Sequence, residues 1–165
     1  MAGVATHLAD KSALARMRHP DVAARVAPLL GSGVLATCSI MDLEVLYSAS
    51  DGREHQEWRA DRASAYELIP IEQPMLERAV EVQGMLAQRG THRGAPVADL
   101  IIAAAAERAG VTLLHYDADF DLIASVTGQR CQWVVERGTV DQAGGLLAAG
   151  EPALVRQHHG LDAVA

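Results

Sequence analysis

The chain has one lysine, two cysteines and only 4% aromatic residues, and none of its apolar runs approaches the roughly 20 residues that a membrane span needs. Each shortage excludes something. Cys38 and Cys131 lie in separate apolar stretches with no partner spacing, which argues against a disulfide framework or a cysteine zinc site; both read as small buried hydrophobes. The opening "MAGVATHLADK" lacks the basic start and long apolar stretch of a secretory signal, so a cytoplasmic protein without membrane association is expected. Scarce aromatics leave little scope for stacking on nucleic-acid bases. A formal charge of −7 argues against gripping nucleic acid through the whole surface, while leaving room for a local basic groove. What is present is 165 residues at 50% hydrophobic composition, enough for one domain with a real core.

Short apolar runs read as buried strands: "VATHLA" from Val4, "VLATC" from Val34, "LIPI" from Leu68, "VTLLHY" from Val111 and "QWVV" from Gln132. Helical periodicity fills the intervals, over residues 12–18, 21–30, 39–48, 53–67, 73–88, 96–109 and 118–127. Strands alternating with helices imply parallel pairing and a three-layer α/β domain, whose ligands gather at the carboxyl ends of the strands. From Gly138 the pattern dissolves into glycines and weak periodicity. One domain over residues 1–137 is therefore expected, followed over 138–165 by a tail that is flexible or a lone helix.

The acids fall where such a sheet would collect a ligand. Asp10 follows the first strand and Asp117 the "VTLLHY" strand. Taken singly, each is equally well read as a helix N-cap, with Asp119 as a first-turn acid and Asp121 as a solvated helix residue. Two others are harder to dismiss. In "SIMDLEVLYSA", Glu44 projects with Ile40, Leu43 and Tyr47, positions expected to face the core, whereas Asp42 points outward and receives no role. In "PVADLIIAAAAERAG", Asp99 shares a face with Ile102, Ala103 and Ala106, although an acid near a helix start also complements the dipole. If Asp10, Glu44, Asp99 and Asp117 converge with Asp119 beside them, each close pair repels by roughly 3 to 4 kcal/mol at an effective dielectric near 20. A divalent cation relieves that repulsion, and an all-carboxylate donor set suits Mg²⁺, or Mn²⁺, rather than zinc.

The segments "LADKSAL", "DLEVLYSA", "VADLIIAAAAERAG" and "LHYDADFDLIA", in that order, resemble a PIN-domain ribonuclease of the VapC toxin type, over about Val4 to Arg137. The resemblance implies a three-layer α/β/α PIN-like domain with a central parallel sheet of four to five strands. It also implies a Mg²⁺-dependent endoribonuclease toxin of a toxin–antitoxin pair. The family's acid quartet corresponds to Asp10, Glu44, Asp99 and Asp117, with Asp119 matching a frequent fifth acid. Metal-activated water would hydrolyse the phosphodiester. Asp10, Asp99 and Asp117 are the leading direct ligands, Glu44 binds directly or through water and accepts the nucleophile's proton, and Asp119 helps hold a second ion. Ser12 stands where the family often has a hydroxyl residue bonded to the site, and equally where a helix-start serine would stand.

Lys11 departs from the small hydroxylated residue that many relatives carry after the first acid. Three roles are open to it: phosphate binding, neutralising local acid, or competing with metal. Arg16, Arg18, His92 and Arg93 flank the expected cleft and are candidates for RNA contact, though exposed arginines are ordinarily just solvated. His115 and Trp133 read as core, Trp58 as half exposed, and the paired His158 and His159 as lacking further ligands for a metal. The implied partners are an RNA substrate (tRNA, rRNA or mRNA), a second copy in a homodimer, and a VapB-type antitoxin. The last would dock on the helices around 53–65 and 75–90 and present a cation to the acids. A module that binds RNA or protein without cleaving is the alternative, and the intact acid set argues against it. A receiver domain would need an acidic pair after its first strand and a late lysine, and the chain has neither.

Overall fold

A computed structural model describes residues 4–140. The expectation for the tail lies outside the described residues except at positions 138–140.

Five parallel strands form one sheet: β1 (His7–Ala9), β2 (Leu35–Cys38), β3 (Glu67–Ile69), β4 (Thr112–His115) and β5 (Cys131–Trp133), in the order β3-β2-β1-β4-β5. The helices are α1 (Lys11–Leu14), α2 (Pro20–Gly31), α3 (Ser39–Leu46), α4 (Gly52–Ala65), α5 (Gln73–Gln88), α6 (Val97–Ala109) and α7 (Ala118–Thr127). Side-chain alternation divides the core in two. Leu8, Ala36, Cys38 and Leu113 pack towards α3 to α7, while Ala9, Leu35 and Leu114 pack towards α1 and α2. The result is the expected three-layer α/β/α domain, with α5 and α7 starting and ending where periodicity puts them.

The differences have local causes. The first helix, expected over 12–18, stops at Leu14. Beyond it Arg16, Met17 and His19 donate to carbonyls three residues back, a tightened path that ends at Pro20. On α3 the buried face is Met41, Val45 and Leu46; Leu43 and Tyr47, expected in the core, are 67% and 89% exposed. A helix this short with apolar residues all round gives periodicity little to choose between.

α4 overturns two expectations at once. Trp58 is buried rather than half exposed, and Asp42 points inward. Arg62, buried at 4% exposure, donates from Nε to Asp42 Oδ1 at 2.8 Å and from Nη2 to Thr37 Oγ1 at 2.8 Å, and its guanidinium lies over the Tyr66 ring. Thr37 also donates to Asp42 Oδ1 at 2.8 Å. The core-facing stripe of this polar helix is thus a tryptophan and an arginine four residues apart, a pattern with no apolar period. Trp133 departs the other way. It is only partly buried, seated against the His115 and Tyr116 rings, and its Nε1 donates to Asp121, which was expected to be merely solvated.

Replacing Arg62 with methionine leaves Asp42 and Thr37 without their shared cation. Urea unfolding should show a loss of about 3 kcal/mol, the low end for breaking a buried pair because Asp42 retains contact with water.

Candidate metal-binding active site

β1 is the switch point of the sheet, since the chain continues to β2 on one side and returns to β4 on the other. Ala9 pairs with Leu114, so the residues leaving the two strands emerge side by side; the Asp10 N–H donates to the Leu114 carbonyl at 2.8 Å. Asp10 is the N-cap of α1 and accepts from the Ser12 N–H at 2.8 Å, and Asp117 is the N-cap of α7 and accepts from the Asp119 N–H at 3.0 Å. Asp99 and Asp119 lie in the first turns of α6 and α7. The capping reading of these acids holds, and it does not compete with the site. Backbone N–H groups and helix dipoles offset part of the charge that the sheet edge concentrates.

One carboxylate oxygen from each of Asp99, Asp117 and Asp119 lies within 4.8 Å of the other two. Asp10, 5% exposed, and the half-buried Glu44 flank this trio and interact with it electrostatically. Burial, followed by the charges of Asp10, Asp117, Glu44 and Asp119, pushes the Asp99 pKa up to about 8. Burial is also the main cause raising Asp10, Glu44 and Asp119, with the neighbouring acids Asp117, Asp10 and Asp117 respectively adding to it. Four carboxyls held back from ionisation by burial and by one another fit a hard divalent cation, and an all-oxygen donor set is the right chemistry for one.

Ser12 joins the two strand ends. Its Oγ accepts from the Tyr116 N–H at 2.9 Å, and its own backbone N–H donates to the Asp10 carboxylate at 2.8 Å. Arg16 donates to the Ser12 carbonyl and lies 4.3 Å over the Tyr116 ring, while Arg18 and Arg93 are exposed and His92 is partly buried. Lys11 Nζ donates to the Glu44 carbonyl at 2.9 Å. Tyr116, which sequence reasoning missed, accepts at its hydroxyl from the N–H groups of Gly138 and Val140 and donates to the Val140 carbonyl. It therefore fastens the start of the expected tail beside the site; only its place next to Asp117 could have hinted at this. His115 is fully buried as expected, and its Nδ1 accepts from the Asp117 N–H at 3.3 Å. Its Nε2 has no hydrogen-bond partner.

A parallel α/β/α sandwich with carboxylates gathered at its switch point defines a class of metal-site domains. Residues 8–126 match the PIN domain, and the chain belongs to the PIN-domain family. It is 47% identical over 137 residues to Ribonuclease VapC51 of Mycobacterium tuberculosis (strain ATCC 25618 / H37Rv), covering 82% of this chain and 97% of the relative. Ribonuclease VapC21 of the same strain is 42% identical over 133 residues, covering 81% and 96%. Among solved structures, VapBC2 from Rickettsia felis, bound to a DNA fragment from its promoter, superposes with a TM-score of 0.62. It is 19% identical and covers 77% of this chain and 97% of that one, a likeness of fold.

An aspartate with a raised native pKa keeps a proton that the unfolded chain, ionising near 3.8, releases. In metal-free protein, stability should fall as pH rises from about 4 towards 8 and level off above. Urea midpoints for EDTA-treated protein should show a shallower slope in Asp99→Asn, with the variant more stable than the parent at the alkaline end.

Proposed function

We propose that the chain is a VapC-type endoribonuclease toxin that hydrolyses RNA phosphodiester bonds at the acidic site and depends on Mg²⁺, with Mn²⁺ able to replace it. The observation that carries this reading is the carboxylate trio of Asp99, Asp117 and Asp119, flanked by Asp10 and Glu44, on a fold whose near relatives bear the name ribonuclease. Asp99, Asp117 and Asp119 would hold the cation, with Asp10 and Glu44 reaching it directly or through water. When bound, such an ion supplies a water of lowered pKa and positive charge for the scissile phosphate.

The chain's own residues supply the rest. Glu44, half buried and reluctant to ionise, is suited to accept the proton of the attacking water at its carboxylate. Ser12 fixes the Asp10 carboxylate and ties it to the strand end that carries Asp117. Arg18 and Arg93, exposed, are free to steer the RNA backbone, whereas Arg16 is engaged with Ser12 and Tyr116. No helix among the described residues is long and apolar enough to cross a membrane.

Two protein partners belong to this reading. A VapB-type antitoxin would present an arginine or lysine to the acids, and Leu43 and Tyr47, exposed on the helix that carries Glu44, offer it an apolar ledge. Self-association is supported by a groove of about 250 Å³ between α5 and α6, where Leu76, Val80 and Val97 are exposed. Val80→Glu should convert a dimer to monomer in sedimentation equilibrium while the circular dichroism spectrum stays that of the folded parent.

The nuclease is tested by incubating antitoxin-free protein with tRNAs, ribosomal RNA and messenger RNA, with Mg²⁺ or with EDTA. Cleavage should require Mg²⁺ and fall in Asp99→Asn by more than the roughly 10- to 100-fold typical of indirect changes around a metal. Cleavage persisting in EDTA would defeat the metal dependence. Metal binding without cleavage of any RNA would favour the non-catalytic binding module.

A further inference from the structure

α3 ends with the unfilled carbonyls of every helix C-terminus. Tyr47 donates to Leu43 and Ser48 turns back to Val45, so the bond that would run from Ser48 to the Glu44 carbonyl is not made. There is no basic residue in the last turn of α3. Instead Lys11, at the start of α1, brings its ammonium to that carbonyl at 2.9 Å. A cation at a helix C-terminus is favourable twice, through the hydrogen bond and through the dipole. The half-buried stem and the cap together fix the place of this charge, which makes it unlike a solvated surface lysine.

That place is on the Glu44 side of the acids. The Lys11 charge acts on the Glu44 carboxyl, while the trio of Asp99, Asp117 and Asp119 draws together without Glu44 or Asp10. A fixed positive charge thus stands beside one side of the cluster, while on the other side Asp99 is acted on by burial and the surrounding acids.

We infer that Lys11 is a built-in monovalent cation that occupies the Glu44 side of the cluster, so that the chain takes a single divalent ion, centred on Asp99, Asp117 and Asp119. The assignment rests on the metal reading of the site and adds to it a fixed stoichiometry and a reason for it. Of the two ways for Glu44 to reach the ion it favours the one through water, which leaves the carboxylate to handle protons.

Mn²⁺ titration of the full antitoxin-free chain, followed by the paramagnetic resonance of the free ion, tests this without recourse to activity. The parent should bind a single ion, and Lys11→Arg, which keeps the charge, should do the same. Lys11→Met should take up a second ion, with affinity at that position raised roughly tenfold or more. Lys11→Gln, whose amide can still donate to the Glu44 carbonyl, should behave like Lys11→Met and guards against loss of the cap unfolding the latter; melting curves check both. Two ions in the parent, a single ion in folded Lys11→Gln, or a second ion in Lys11→Arg would each overturn the role of Lys11. No ion in the parent, or undiminished binding in Asp99→Asn, would overturn the metal reading itself.

Discussion

Pairing of β1 with β4 is the constraint from which the site follows. Neither strand is long, yet their register sets Ala9 against Leu114, and the residues that leave them cannot avoid being neighbours. Asp10 and Asp117 are therefore driven together by backbone geometry, and backbone hydrogen bonds collectively resist their repulsion. The interior behind them gives little relief. Leu8, Leu113, Phe120 and Ile123 are fully buried, so charge at this edge faces low dielectric on one side and water on the other. Raised proton affinity at Asp99 is the measure of that confinement.

The fold was legible wherever one period dominated. Parallel strands with both faces covered read as continuous apolar runs, and α5 and α6 carry apolar residues at helical spacing, so their positions follow from pattern alone. Legibility failed where a polar side chain does the work of an apolar one. Arg62 looks like surface in sequence because nothing there announces that Asp42 and Thr37 will meet it; its burial is a property of three separate segments. Trp133 failed in the opposite sense, since a tryptophan on a strand suggests core, but this strand is the sheet's edge.

The candidate site was readable to a different depth. The acids announced themselves by position, at strand ends and on the inward face of α6, and Asp99 sits with Ile102, Ala103 and Ala106 as its spacing requires. For Glu44 the same projection gave a partly buried position but on the wrong neighbours. Its helical neighbours Leu43 and Tyr47 face outward, while Glu44 is partly buried and lies within electrostatic reach of Asp10 and Lys11. Tyr116 was invisible because its importance lies in hydrogen bonds to the main chain of Gly138 and Val140, which no side-chain pattern encodes.

The bond from the Tyr116 N–H to Ser12 joins residues 104 apart in sequence. Its consequence concerns synthesis. A ribosome making this chain exposes Asp10 early and Asp117 late, and until the second has emerged there is no concentration of charge to attract a cation. Long-range closure of this kind is also among the slower events of folding. The acidic centre is thus absent from any form that ends before Asp117 or in which β1 and β4 have not yet paired, and it comes into being while α7 and β5 are still to be placed.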